Sequence, residues 1–199
     1  MVLNPIEKIT FKFKNAPKQT VPTFEVGEFS GFADAANFKH DGLGPKAFNR
    51  ADFQVSAPSF SAPVIAHCEG GDSKLGITWM RQDLTYNCSF SGGAPADAAL
   101  TLAFASGSEQ QRPPLRAGEL RWNGMSIRFD TKQAGADPIS GGKPLGYVFS
   151  RNSAEIGGLD LGGGLLPPSV FLPPKGATDR VAMMVAALSL VYFQDPGGQ

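Results

Sequence analysis

The sequence predicts a mainly β fold, an antiparallel barrel of about 10–12 strands that encloses a hydrophobic C-terminal α-helix. Three observations lead to this prediction. Short runs that alternate apolar and polar residues recur along the 199-residue chain. Glycine (24) and proline (16) are spread through it without a fixed period, which is typical of many turns joining short strands. Residues 177–195 contain neither of them and are almost wholly apolar at their centre.

The first strand is predicted from residues 8–14, KITFKFK. Its apolar side chains point to one face and its basic ones to the other, as in a half-buried strand. The basic face carries Lys8, Lys12 and Lys14. Residues 23–29, TFEVGEF, repeat the alternation with Phe24, Val26 and Phe29. The stretch 30–50 mixes Gly, Asn, Asp and a Gly-Pro pair, which predicts a long connection or lid with one helical turn around residues 34–39.

Further strands are predicted in the middle of the chain, bounded by Gly, Asp or Pro. They cover residues 53–60, 62–70, 75–82, 84–92, 98–107 and 145–151. Residues 118–131 predict a hairpin, because Asn123-Gly124 tolerates the positive φ angles of a type I′ turn. Arg121 and Arg128 lie on either side of that turn.

A helix is predicted at about residues 178–195, with Thr178 or Asp179 at its N-cap. Between residues 181 and 193 the only polar interruption is Ser189, so the helix is apolar on every face and must be enclosed. The run is shorter than the roughly 20 residues that cross a bilayer. We therefore predict that residues 1–199 form one domain in which the sheet encloses a central helix. The alternative is a β-sandwich with the helix packed on it.

Residues 165–196, LLPPSVFLPPKGATDRVAMMVAALSLVYFQDP, resemble the ending of the tubby-like superfamily. This superfamily includes the tubby C-terminal domain, the phospholipid scramblases and the LURP-one-related proteins. In them a short proline-containing connection leads to an apolar helix that finishes with an aromatic and an acidic residue, matched here by residues 191–195. The resemblance implies a barrel around the helix and binding of anionic lipid. The chain lacks the cysteine-rich cluster and acidic calcium loop of the scramblases, and the phosphoinositide-binding basic residues of tubby domains have no one-to-one match.

Charge and composition exclude some classes of function. Eighteen basic and eighteen acidic residues cancel, so no overall field attracts nucleic acid. The N-terminus lacks a secretory signal, which predicts a cytoplasmic protein, either free or peripherally bound to a membrane. In that compartment Cys68 and Cys88 are expected to be free thiols. No cofactor or metal is predicted.

Catalytic motifs are not found in the sequence. His40 and His67 could supply a base, but neither lies in a recognisable motif. His67 and Cys68 are adjacent on a strand and therefore point to opposite faces, so they cannot bind one ion together. His67 is interpreted as a structural histidine, and an enzyme is not favoured.

The leading hypothesis is a non-enzymatic tubby-like protein that binds anionic membrane lipid headgroups or a protein partner. Its candidate contacts are Lys8, Lys12, Lys14, Arg121 and Arg128. Exposed lysines also protect an edge strand from aggregation, and this competes with a binding role for the lysines. Two other functions stay open: a structural subunit of an oligomer or larger assembly, and an apolar-ligand carrier or small hydrolase with a cavity inside the β-structure.

Overall fold

A computed structural model describes residues 6–14, 22–39, 47–72, 85–106, 115–132, 146–162 and 166–193. Within these ranges the chain forms thirteen strands and one helix, α1 (Asp179–Val191). The strands are β1 (Glu7–Thr10), β2 (Lys12–Lys14), β3 (Thr23–Val26), β4 (Phe29–Lys39), β5 (Ala47–Ser56), β6 (Val64–Asp72), β7 (Thr85–Gly92), β8 (Ala99–Phe104), β9 (Arg116–Trp122), β10 (Met125–Lys132), β11 (Gly146–Arg151), β12 (Ala154–Asp160) and β13 (Ser169–Leu172).

All thirteen strands belong to one antiparallel sheet in which β2 to β13 follow chain order. β1 breaks this order, because it pairs with β13 at the far end. β1 and β2 are separated only by Phe11, and β2 pairs with β3. One short N-terminal segment therefore contacts both ends of the sheet. The Phe11 amide extends this contact by donating to the Pro168 carbonyl oxygen at 2.9 Å. The result is a nearly closed barrel.

The helix lies inside the barrel. Every residue of α1 except Val181 and Val191 is buried. Around it, the inward residues of the strands alternate with exposed ones, as in β7, where Tyr86 and Cys88 are buried. The polar group of Ser189 is satisfied, because its hydroxyl donates to the Val185 carbonyl oxygen at 2.9 Å. The barrel with an enclosed helix is confirmed, and the β-sandwich alternative is not what the chain forms.

Close approach between helix and sheet depends on small residues. Gly157 on β12 adopts φ +152°, and a Cβ there would lie 2.5 Å from Cε of Met183 and 2.2 Å from the Phe171 carbonyl oxygen. A side chain at this position would therefore displace the β13 backbone at Phe171, as well as the end of the Met183 side chain. Ala182, Ala186 and Ala187 are fully buried and keep the helix narrow.

Arg180, in the first turn of α1, ties the two ends of the sheet together. Its side chain is 3% exposed. The guanidinium donates to both carboxylate oxygens of Glu28, at 2.5 and 2.9 Å, and lies 2.9 Å from Oε2 of Glu7. Glu7 is on β1 and Glu28 is in the turn between β3 and β4. Arg180 also donates to the Pro173 carbonyl oxygen. We call Arg180, Glu7 and Glu28 the closure cluster.

The N-cap position of the helix is as predicted, but the capping hydrogen bond is absent. Thr178 is the N-cap residue, but its side chain makes no capping hydrogen bond. Its hydroxyl instead lies 3.3 Å from the Asp179 carboxylate, which accepts a bond from Arg151 at 2.5 Å. The first turn of the helix therefore carries an ion pair at Asp179 but no side-chain cap. The helix of residues 179–191 lies within the predicted range of 178–195.

Two other sequence predictions were wrong. Within residues 30–50 the described part is extended: β4 and β5 pair along ten positions, from Ser30 opposite Ser56 to Lys39 opposite Ala47. Cross-strand pairing wins there over the local turn propensity of Gly, Asn and Asp, and no helical turn forms at residues 34–39. Cys68 and Cys88 are not free thiols but form a disulfide, because they lie directly opposite each other on β6 and β7.

Other predictions are confirmed. Asn123 and Gly124 have φ angles of 50° and 72°, and Trp122 lies opposite Met125, as the predicted hairpin requires. Phe24, Val26 and Phe29 are all buried. The strand predicted at 75–82 lies outside the described residues.

Across the described ranges, the structure contains no helix with the length and apolar character needed to cross a membrane.

Placing a charge inside the barrel tests the enclosure of the helix. Ala186 is fully buried, so Ala186→Asp should lower the free energy of unfolding by about 4 kcal/mol or more, because an unpaired carboxylate would be buried. Ala62→Asp is the control, since Ala62 is exposed, and it should cost less than about 0.5 kcal/mol. Urea unfolding followed by circular dichroism measures both. Equal stability of the two variants would contradict an enclosed helix.

The closure cluster makes stability depend on pH. The hydrogen bonds from Arg180 hold the pKa of Glu28 below its usual value of 4.5. A depressed folded-state pKa contributes stability above the unfolded value, and this contribution is lost as the pH falls through the folded value. We therefore expect the free energy of unfolding to drop below about pH 4.5.

Glu28→Gln should be less stable than wild type at pH 7 and should lose less stability on acidification. Lys14→Ala is a matched control, because it removes an exposed ion pair with Glu25 outside the closure cluster. Melting temperatures from pH 7 to pH 3 give the comparison. Parallel curves for wild type and Glu28→Gln would show that Glu28 does not contribute.

Removing the disulfide should destabilise the barrel. The bond closes a loop between residues 20 positions apart, so Cys68→Ala combined with Cys88→Ala should cost about 3 kcal/mol. Titration of thiols in the unfolded, unreduced wild-type protein should find none. Two reactive thiols per chain would contradict the disulfide.

Candidate functional site

The lysines predicted to bind a headgroup lie on the outside of the barrel, and each has a carboxylate or an aromatic ring as a neighbour. Lys14 Nζ lies 2.6 Å from the Glu25 carboxylate, and this hydrogen bond is the main reason that the pKa of Glu25 is lowered. Lys12 is directly opposite Glu25 in the register of β2 and β3. Lys8 places its Nζ 5.5 Å from the centroid of the Phe171 ring. β1 and β2 therefore do not present a row of free positive charges.

Arg121 and Arg128 lie together on another part of the outer face. Arg121 on β9 is opposite Ser126, and Arg128 follows two residues later on β10. Diagonal neighbours of this kind are roughly 7–8 Å apart, within reach of long side chains. Both are exposed, and neither forms an ion pair with any residue in the described ranges. The carboxylate opposite Arg128 is that of Glu119.

A depression of about 720 Å³ lies beside Arg128. Two tight turns form its rim: residues 123–124 between β9 and β10, and residues 152–153 between β11 and β12. We call it the hairpin depression. Its lining residues are Gly124, Met125, Ser126, Arg128, Asp130, Ser150, Arg151, Asn152 and Ser153.

Asp97 holds one of these turns in place. Its carboxylate accepts the backbone amides of Gly124 at 2.6 Å and Asn123 at 2.8 Å. The amide of Gly124, followed by that of Asn123, keeps the pKa of Asp97 below its ordinary value. The connection between β7 and β8 thus fixes the rim of the depression. Asp97 could not be found from the sequence, because its two partners are more than 25 residues away.

Arg151 was also missed by the sequence analysis, and its charge is already used. Its guanidinium bonds to the Asp179 carboxylate at 2.5 Å and lies 3.5 Å from Sδ of Met125. The other arginine that lines the depression is Arg128, and it lies directly opposite Ser150 on β11. Guanidinium and hydroxyl donors together suit a phosphate or carboxylate oxygen.

The two basic groups do not form one site. In the sheet order, β1 and β10 are separated by β13, β12 and β11. At about 4.8 Å per strand, Lys8 and Arg128 lie on strands roughly 19 Å apart. The structure therefore brings Arg121 and Arg128 together and leaves Lys8, Lys12 and Lys14 elsewhere.

A second polar cluster lies on the outer face of β5 and β6. Nδ1 of His67 is 2.5 Å from the Asp52 carboxylate, which also bonds to Arg50 at 2.8 Å. Burial acts to raise the pKa of Asp52, but the bonds from His67 and Arg50 outweigh it and lower the pKa. Cys68 points into the barrel and His67 points out, so the prediction that they cannot share an ion is confirmed.

This cluster places an aspartate, a histidine and a serine in one row without the geometry of a catalytic triad. Ser89 lies opposite His67, but its hydroxyl donates to the His67 backbone carbonyl at 3.5 Å. The other ring nitrogen of His67 lies 3.7 Å from Glu69 instead. Among the described residues, no group of three or more His, Cys, Asp or Glu side chains could hold a metal ion. His40 is outside the described ranges.

Comparison with protein-family models finds no matching family, and comparisons with curated proteins and with solved structures find no match either.

Proposed function

We propose that this protein binds the anionic headgroup of a membrane lipid at the hairpin depression. Arg128, which lines the depression, is the principal contact, and Arg121, its diagonal neighbour outside the lining, is the second. The observation that supports the proposal is the guanidinium of Arg128, which has no ion pair in the described ranges and borders a concave surface beside Ser126 and Ser150. Charge-assisted hydrogen bonds from such a group to a phosphate are among the stronger polar contacts.

The lysines of β1 and β2 have a structural role in this proposal. They flank the short segment that joins the two ends of the sheet, where lysine discourages pairing with another chain. Lys14 is already neutralised by Glu25. We therefore assign headgroup binding to the arginines rather than to Lys8, Lys12 and Lys14.

The position of the helix argues against the carrier alternative. An apolar ligand inside the barrel would need the volume that α1 occupies, and Met183, Met184 and Leu188 are fully buried there. Binding on the outer surface needs no rearrangement of the core.

The disulfide bears on location. Disulfides persist chiefly in oxidising compartments, so Cys68–Cys88 favours a membrane surface facing such a compartment over the cytoplasmic location expected from the sequence. Association with that surface would be peripheral.

Charge reversal at the two basic groups tests the proposal. Arg121→Glu with Arg128→Glu should reduce co-sedimentation with phosphatidylcholine vesicles containing phosphatidylglycerol by at least about tenfold, because two guanidinium contacts are lost. Lys12→Glu with Lys14→Glu is the matched control, since it changes the net charge equally. It should bind nearly as well as wild type.

The result separates site-specific binding from general attraction. Equal losses in both double variants would indicate a diffuse charge effect and contradict the assignment to the arginines. Wild-type protein that does not bind any anionic vesicle would remove the lipid proposal and favour a protein partner.

A further inference from the structure

A second concave surface lies next to the hairpin depression and is mainly apolar. It has a volume of about 390 Å³ and lies on the outside of β10 to β13, beside Ile6, which precedes β1. Its apolar side chains are Ile6, Val148 and Phe171, and the buried Gly146 and Gly158 lie between them without side chains. We call it the glycine groove.

The glycines are required by the backbone around them. A Cβ on Gly158 would lie 2.5 Å from the Tyr147 carbonyl oxygen, and one on Gly146 would lie 1.9 Å from the Leu159 carbonyl oxygen. Side chains are thus excluded from the floor, and the walls are formed by Val148 on β11 and Phe171 on β13. The groove is therefore built into the sheet itself.

The sheet register gives the direction of the groove. Val148 is opposite Gly158, Gly158 is opposite Phe171, and Phe171 is opposite Lys8. This row crosses three strand spacings from β11 to β1, about 14 Å at 4.8 Å each. Along one strand, the neighbouring residues on the same face are about 7 Å away, which leaves a width suited to one aliphatic chain.

The groove and the hairpin depression are neighbours on the outer face of the sheet. Ser150 lines the depression and Val148 lines the groove, and they are two residues apart on the outer face of β11. Arg128 and Asp130 are in register with these two residues on β10. A molecule bound at Arg128 can therefore extend past Val148 into the groove.

Resting on the proposed headgroup site, we infer that the ligand is an anionic amphiphile with a single aliphatic chain. Its charged group binds at Arg128 and its chain lies over Gly158 between Val148 and Phe171. The charged group is placed at Arg128 because the groove lining carries two carboxylates, Glu155 and Asp160, and one cation, Lys132, so its net charge is negative. At the far end, the cationic Nζ of Lys8 lies over the Phe171 ring and the apolar stem of Lys8 can cover the chain.

Alkyl phosphates of different chain length test the inference directly. We expect dodecyl phosphate, below its micelle-forming concentration, to bind the full-length protein far more tightly than methyl phosphate. Each buried methylene should contribute about fourfold in affinity. Isothermal titration calorimetry measures both dissociation constants.

Filling the groove supplies the matched variants. Val148→Phe narrows it from a half-buried outer position and should weaken dodecyl phosphate by at least about tenfold while leaving methyl phosphate unchanged. Ile65→Phe is the control, because Ile65 is an exposed aliphatic residue on the outer face of β6. It should change neither affinity, and thermal unfolding should show that both variants are folded.

The possible failures are distinguishable. The groove does not hold the chain if dodecyl phosphate still binds Val148→Phe far more tightly than methyl phosphate does, or if it binds wild type no more tightly. Phosphate binding that depends on Arg128 would still support the headgroup site. If Arg128→Glu does not weaken methyl phosphate, the proposed function fails. If both Arg128→Glu and Val148→Phe weaken the binding of dodecyl phosphate, the result supports the groove and the headgroup site together.

Discussion

The structure depends on joining the two ends of its sheet around a helix that cannot face water. β1 pairs with β13 and β2 pairs with β3, so the N-terminal segment completes the wall. The buried guanidinium of Arg180 stabilises this arrangement, because it bonds to Glu7 near one end of the sheet and to Glu28 near the other end. A buried arginine is costly unless its charge is matched, and here two carboxylates and a backbone carbonyl provide the match. Closure of the barrel and burial of the helix are therefore structurally coupled, because Arg180, which contacts both ends of the sheet, belongs to the helix.

Filling the barrel with the helix moves any ligand to the outside. Most inner positions are occupied by apolar residues of the strands and of α1, with Arg116 on β9 and Asn49 on β5 as buried polar exceptions. The outward positions of the same strands carry most of the polar chemistry. On β9, Leu120 and Trp122 are buried while Arg121, between them, is exposed. Because buried and exposed residues alternate, the inward side chains of each strand stabilise the core and the outward side chains are available for binding. This alternation also explains how glycine can open a groove on one face, at Gly158, and admit the helix on the other, at Gly157.

Sequence reasoning predicted the features that depend on local pattern. The all-round apolar character of residues 181–193 predicted an enclosed helix, and Asn123-Gly124 predicted the hairpin that brings Arg121 and Arg128 together. It could not predict features set by pairing between distant strands. Turn-prone residues misled the interpretation of 30–50, where ten cross-strand pairs hold the chain extended. The disulfide needed the register of β6 and β7, and the closure cluster joins residues 152 positions apart. Lys14 appeared free in the sequence because Glu25 reaches it only through the pairing of β2 with β3.

The charge around the hairpin depression determines which anions could be selected there. Arg121 and Arg128 are offset by Glu119 and Asp130 on the same two strands, so the region has little net positive field. Long-range attraction to an anionic surface would therefore be weak and easily screened by salt. Affinity has to come from direct contacts: the guanidinium of Arg128 and nearby hydroxyls on one compact anionic group, and apolar contact in the adjoining glycine groove. A site of this kind discriminates by fit, because an anion without a chain gains only the polar half of the contacts and a chain without an anion gains only the apolar half.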